Sequence, residues 1–132
     1  MRPEAPTFFV DRSLGRKLVP EALVRAGLRV ETHDAHFAQD TEDVAWLPVV
    51  GQRDWVVLTK DDRLRTNPLE RAVVIEARVR LFIVRAGEAS GPQLAELLAN
   101  RAAALASFAV ATPGPFIARV SRTGLHRLRL RG

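Results

Sequence analysis

Short apolar segments with β-branched or aromatic residues recur along the chain and predict buried strands. The segments at 7–10, 55–59 and 81–84 are continuously apolar, which is typical of central strands in a parallel sheet. The segment at 28–32 alternates apolar and polar residues, and 116–120 and 125–130 indicate two further strands. Because the last segment alternates leucine with arginine, we expect it to be half exposed at an edge of the sheet.

Helical spacing of apolar residues fills most intervals between these strands. Pro20 lies inside the first such pattern and is expected to kink or split that helix. The interval 33–40 has no periodicity and is predicted to be a loop. The predicted helices span 13–26, 41–50, 67–79 and 90–110, with the caps Ser13, Asp40 or Thr41, Asn67 and Ser90 in that order.

Strands that alternate with helices across short connections predict right-handed βαβ units. The expected fold class is therefore α/β, with a mostly parallel central sheet covered by helices on both faces. At 132 residues, and with no internal repeat or linker, the chain is expected to form a single domain over 1–132.

The composition of the chain excludes several kinds of site and several classes of protein. The chain has no cysteine, which excludes disulfides, a thiolate nucleophile and cysteine-ligated zinc. No apolar run reaches the length of a membrane span and no leader pattern is evident, so a cytoplasmic location without membrane contact is expected. The 20 basic and 15 acidic residues are unevenly spread: residues 1–96 carry a net charge of −1, and residues 97–132 carry +6.

Acidic residues follow the predicted strands at points that meet in a parallel sheet. Asp11 ends the first strand, Asp61 and Asp62 follow the strand at 55–59, and Glu42 and Asp43 lie in the first turn of a helix. If those strands are neighbours, Asp11, Asp43 and Asp61 converge at one edge. Carboxylates in such a cluster need a hard cation, Mg²⁺ or Mn²⁺, which points to phosphodiester hydrolysis. The alternative is that these acids only cap helices and face solvent.

The segments 8–15, 43–47 and 55–61, which contain Phe-Phe-Val-Asp-Arg-Ser-Leu-Gly, Asp-Val-Ala-Trp-Leu and Trp-Val-Val-Leu-Thr-Lys-Asp, resemble the PIN-like ribonucleases. The closest likeness is to the branch of VapC-type toxins, and it covers about residues 7–85. The resemblance implies a three-layer α/β/α fold with an acidic pocket that holds one or two Mg²⁺ or Mn²⁺ ions and cleaves RNA.

The resemblance also implies roles for individual residues. Asp11, Asp43 and Asp61 would be the catalytic metal ligands, and a fourth acid would be Asp62 or Glu70. Auxiliary roles in hydrogen bonding or phosphate contact would fall to Ser13, Glu42, Thr59 and Lys60.

Several basic residues could contact an RNA backbone, because arginine binds phosphate through paired hydrogen bonds. The nearest to the acids are Arg12, Arg63 and Arg65, and the basic tail adds Arg127, Arg129 and Arg131. His33 and His36 have a spacing that could bind a transition metal, but surface histidines are the favoured interpretation. Core packing is favoured over base stacking for Trp46 and Trp55.

The leading hypothesis is a metal-dependent ribonuclease that acts as the toxin of a toxin–antitoxin pair. Its expected partners are RNA, a cognate antitoxin protein and, in a homodimer, a second copy of the chain. The alternatives are a catalytically inactive PIN-like module that binds RNA or protein, and a nuclease directed at DNA.

Overall fold

Six strands form one sheet in the computed structural model, which describes residues 5–130. The spatial order is β2-β1-β3-β4-β5-β6, and every pair is parallel except β5 with β6. This arrangement confirms the predicted α/β class with a mostly parallel sheet. The strands are β1 (Thr7–Val10), β2 (Arg29–Thr32), β3 (Val56–Thr59), β4 (Arg80–Val84), β5 (Phe116–Ser121) and β6 (Gly124–Leu128).

Helices cover both faces of the sheet. One buried cluster joins α1 and α6 to the face that carries Phe8 and Phe82, and a second joins α3 and α5 to the face that carries Phe9 and Leu81. The chain thus has three layers, as expected. The helices are a 3-10 turn (Arg12–Leu14), α1 (Leu18–Arg25), α2 (His33–His36), α3 (Asp43–Gln52), α4 (Arg63–Thr66), α5 (Pro68–Glu76) and α6 (Gly91–Ala111).

The first predicted helix is divided, but not at Pro20. The chain breaks at Gly15, whose φ of 84° lies in the left-handed region that glycine adopts without strain. Pro20 is the third residue of α1, where its missing N–H costs no helical hydrogen bond. The prediction that Ser13 is the cap was also wrong, because Asp11 precedes the 3-10 turn and its side chain accepts from the Ser13 N–H.

The other helix ends were predicted with mixed success. Asn67 and Ser90 cap α5 and α6 through their side chains, which confirms both predictions. The predicted cap of α3 at Asp40 or Thr41 was wrong, because the helix begins after Glu42 without a side-chain cap. The prediction of a loop over 33–40 was wrong for 33–36, which form α2.

By length and composition, the 21-residue helix α6 is long and apolar enough to cross a membrane. In the fold it packs along α1 and the sheet, with six of its residues buried, including Leu98 and Leu105. Length and composition alone are weak evidence for a membrane span, since the core helices of other folds share them.

Within residues 5–130, the strand β6 lies at the edge of the sheet and pairs with β5 alone, as its Leu-Arg alternation predicts. Arg127 is exposed and aligned with Ala118, which belongs to the face covered by α6. Arg129 follows the strand and is exposed, and Arg131 lies outside the described residues.

Candidate active site

The candidate site lies where the central strands end. The strands β1 and β3 are parallel neighbours, so Asp11 after β1 and Asp61 after β3 lie at the same edge of the sheet. Asp43 is the first residue of α3, and Glu70 lies in the first turn of α5. Both helices pack on one face of the sheet, which brings their N-terminal carboxylates to this edge.

Three carboxylates form a close cluster. Asp43, Asp61 and Glu70 each offer one oxygen, and these oxygens all lie within 4.8 Å of one another. Of the two acids considered as a fourth ligand, the structure brings Glu70 into this group. Asp62 instead pairs with Arg65 at 3.4 Å and with Arg85 at 3.0 Å.

Asp11 lies beside this cluster and is fixed by two hydroxyl groups. Its Oδ2 accepts hydrogen bonds from Ser13 Oγ and Thr59 Oγ1, each at 2.8 Å. Thr59 Oγ1 also accepts from the backbone N–H of Asp61 at 3.0 Å, so Thr59 connects the two aspartates. Asp11 is 3% exposed, and its other oxygen, Oδ1, is buried without a hydrogen-bond partner among the described residues.

Asp43 is held by an indole and a guanidinium. Its Oδ1 accepts from Trp46 Nε1 at 2.9 Å and from Arg12 Nη2 at 3.2 Å. Arg12 Nη1 in turn donates to the carbonyl of Thr41 at 2.9 Å and lies 2.8 Å from His33 Nε2. Arg12 therefore points into the site and orients a carboxylate, and its contact with RNA stays a prediction.

Arg63 binds Asp61 through two guanidinium nitrogens, with Nη2 2.8 Å from Oδ2. These side-chain hydrogen bonds are the main reason why the pKa of Asp61 lies below its ordinary value. Arg63 is nevertheless 68% exposed, so it lies at the mouth of the cluster rather than within it. Arg65 pairs with Asp62, and both arginines thus lie close enough to the acids to meet a bound phosphate.

The electrostatics of the cluster suit a cation. Burial, followed by hydrogen bonding to Asp43 and the negative charges of Asp43 and Asp61, raises the pKa of Glu70 to about 7. Glu70 Oε2, like Asp11 Oδ1, is buried without a partner among residues 5–130. Unpartnered buried carboxylate oxygens are costly, and crowded carboxylates repel. An all-oxygen set with these two features fits Mg²⁺ or Mn²⁺.

The remaining predicted residues lie around the cluster. Lys60 and Glu42 are exposed at its rim, and the backbone N–H of Lys60 donates to Ser13 Oγ at 2.9 Å. The interpretation as surface histidines was wrong for His33, which is buried between aromatic rings. His36 is exposed and pairs with Glu31. Trp46 is fully buried, which confirms core packing for that residue.

Glu70 was only one of two candidates in the sequence, although a signal for it exists. Asn67 and Pro68 mark the start of α5, and an acid three residues after the cap lies in the first turn, at the same edge as the strand ends. The contact between Arg12 and His33 has no such signal, because it joins residues 21 positions apart through side-chain packing.

Comparison with known proteins agrees with this geometry. Residues 6–86 match the family described as PIN like domain. The chain is 36% identical over 126 residues to the Mycobacterium tuberculosis protein named "Putative ribonuclease VapC45", in an alignment that covers 91% of this chain and 89% of that protein. No solved structure gives a significant match.

Proposed function

The chain belongs to the PIN-like domain family, and on that premise we propose that it is a metal-dependent endoribonuclease, the toxin of a toxin–antitoxin pair. The observation that carries the proposal is the cluster of Asp43, Asp61 and Glu70, together with the position of Asp11 at the end of β1, the parallel neighbour of β3. The relative named as a ribonuclease supports RNA as the substrate.

Mg²⁺ or Mn²⁺ would be held by Asp43, Asp61 and Glu70, with Asp11 Oδ1 completing the acidic wall. When bound, such an ion lowers the pKa of water and neutralises charge on a phosphoryl oxygen. The protein's own groups keep the acids in place: Ser13 and Thr59 orient Asp11, and Arg12 and Trp46 orient Asp43. A preorganised site of this kind avoids reorientation of its charges during the reaction.

Basic side chains at the rim would bind the substrate. Arg63 and Lys60 are exposed next to the acids, where they would contact phosphates on either side of the scissile bond. Arg65 lies slightly further away, on Asp62. These residues would position RNA, and the carboxylates would hold the ion that supports hydrolysis.

The test is cleavage of labelled single-stranded RNA by the purified protein with Mn²⁺, with Mg²⁺ and with a chelator. We expect cleavage only with a divalent cation, and a loss of about a hundredfold or more in Asp11→Asn, Asp43→Asn and Glu70→Gln. Asp54→Asn is the matched control, because Asp54 is 86% exposed and has a positive φ that asparagine tolerates.

The outcomes separate the alternatives. Wild-type rates in Asp11→Asn and Glu70→Gln would overturn the assignment of the site. RNA binding without cleavage under any cation would favour the inactive module, and faster cleavage of DNA than of RNA would favour a nuclease directed at DNA.

A cognate antitoxin partner is part of the proposal, because a nuclease that is active when free requires a protein that occludes its acids. Co-expression with the product of the neighbouring small reading frame should yield a complex that no longer cleaves RNA. A homodimer stays a prediction, which sedimentation of the purified protein would check. A cytoplasmic location also stays a prediction.

A further inference from the structure

The β5–β6 hairpin extends the face of the sheet that carries the acidic site. Thr59 is aligned with Ile83, Ile83 with Arg119, and Arg119 with His126. Aligned residues on neighbouring strands point to the same face, so Arg119 and His126 share the face of Thr59. At the usual strand spacing, Arg119 lies about 10 Å and His126 about 14 Å from Thr59 across the sheet.

Both side chains are open to solvent. Arg119 and His126 are exposed, and within residues 5–130 neither side chain forms a hydrogen bond or an ion pair. Their neighbours Ile117 and Leu128 on the same face belong to or pack against the buried cluster under α3 and α5. The exposed part of this face is therefore the half nearest to the carboxyl ends of the parallel strands.

A basic side chain fills the interval between the site and the hairpin. Arg85 directly follows β4, is half exposed, and its Nη2 lies 3.0 Å from Asp62 Oδ1, next to Asp61. No acidic residue follows Glu96 in the sequence, so the hairpin contributes only positive charge. Arginines thus lead from Arg63 at the mouth of the acids, through Arg85, to Arg119.

We propose that this hairpin face, defined by Arg119 and His126, binds the phosphate backbone of the RNA strand that leaves the acidic site. The inference rests on the proposed function and adds the path of the substrate to it. Charge complementarity selects RNA as the occupant, since a second copy would bring the same positive face against this one. Arg127 was grouped with the possible RNA contacts from the sequence, but at the adjacent position of β6 it points to the opposite face, so this proposal leaves it out.

The first measurement is the affinity for a labelled single-stranded oligoribonucleotide in chelator, where no cleavage occurs. Arg119→Gln should weaken binding roughly tenfold at low salt, the low end for a hydrogen bond to a charged group. It should also reduce the slope of log affinity against log salt by about 0.7, the value expected when the protein neutralises one phosphate fewer on a single strand. Arg119→Lys keeps the charge and should retain most of the affinity.

The matched control is Arg127→Gln, which removes the same charge from an exposed neighbouring position on the other face. We expect wild-type affinity from it. Equal weakening by Arg119→Gln and Arg127→Gln would mean that only net charge matters, and would overturn the proposal. Undiminished affinity in Arg119→Gln with a changed sedimentation coefficient would also overturn it and assign the face to contacts between copies.

A second readout separates this inference from the proposed function. With Mn²⁺, Arg119→Gln should raise KM for a long RNA and leave kcat nearly unchanged, because Arg119 lies away from the acids. If the wild type cleaves RNA and KM does not change, only the substrate path fails. If the wild type does not cleave, the proposed function fails, whereas the contrast between Arg119 and Arg127 in binding remains readable.

Discussion

Arg12 shows what a sequence can and cannot reveal about a single residue. From the sequence it was predicted only as an RNA contact, whereas in the structure its guanidinium donates to Asp43 within the candidate site. The direction of the Arg12 side chain depends on the 3-10 turn that follows β1 and on a contact with His33. Nε2 of His33 meets the guanidinium of Arg12, although the two residues are 21 positions apart. Asp11 and Asp61 could be predicted because parallel strand ends share an edge, whereas no local pattern encodes where a long side chain points.

His33 makes the stability of the fold depend on pH. Burial, followed by the positive charge of Arg12, lowers the pKa of His33 below its ordinary value of 6.5. The unfolded chain therefore binds more protons than the folded one as the pH falls below 6.5, and the free energy of unfolding falls with it. Above that value the contribution of His33 is fully present.

Urea unfolding between pH 5 and pH 8, in chelator, tests this dependence. His33→Gln keeps an acceptor for Arg12 but does not titrate, so its stability relative to the wild type should rise as the pH falls below 6.5. His126→Gln removes an exposed histidine and should follow the wild type throughout. A constant difference between His33→Gln and the wild type over this range would contradict the prediction.

At the scale of elements, prediction from the sequence succeeded where the periodicity is clear. The long helix α6 was predicted from the helical spacing of its apolar residues, and the strands were predicted from short segments that are continuously apolar or alternate apolar with polar residues. The single-turn helices α2 and α4 have too few residues to show one, and tertiary contacts stabilise them. Gly51 was expected beyond the end of α3 but lies inside it, for a reason that involves another helix.

Gly51 is where α3 and the end of α5 come together. A Cβ atom at this position would lie 2.6 Å from the carbonyl oxygen and 2.9 Å from the Cβ of Ala77, and neither is the end of a flexible side chain. We expect the clash in Gly51→Ala to lower the free energy of unfolding by about 1–3 kcal/mol. The higher helix propensity of alanine offsets part of this loss.

The control is Gly91→Ala at the start of α6, where a Cβ would meet only the tip of the half-exposed Leu18 side chain. Urea denaturation at pH 7 should place this variant at or above the wild type. If Gly51→Ala were as stable as Gly91→Ala, the close approach of α3 to the end of α5 would not explain why α3 has glycine at position 51.

For the whole molecule, the distribution of charge matters more than its sum. The net charge of +5 alone suggests a protein that seeks a polyanion. The structure separates two regions: a cluster of carboxylates that repel one another at the ends of β1 and β3, and an arginine-bearing hairpin at the edge of the same sheet. If the proposed function holds, a cation would neutralise the first region before an RNA phosphate approaches it.

The acidic cluster should therefore link cation binding to global stability. Folding brings Asp43, Asp61 and Glu70 together, whereas they are apart in the unfolded chain, so a divalent cation held by them would bind the folded state preferentially. At a concentration of about one hundred times its Kd, it should stabilise the protein by roughly 2.7 kcal/mol. Thermal unfolding with Mn²⁺ and with chelator measures this gain.

Glu70→Gln provides the decisive comparison, because it keeps the shape of the side chain and removes one of the repelling charges. In chelator at pH 8 it should be at least as stable as the wild type, and it should lose most of the gain with Mn²⁺. Asp54 lies just before β3, at the end of the strands opposite to the acids, so Asp54→Asn should keep the whole gain in stability with Mn²⁺. Equal gains in all three proteins would show that the cation acts on the general surface, and the acids at the strand ends would then be caps rather than ligands.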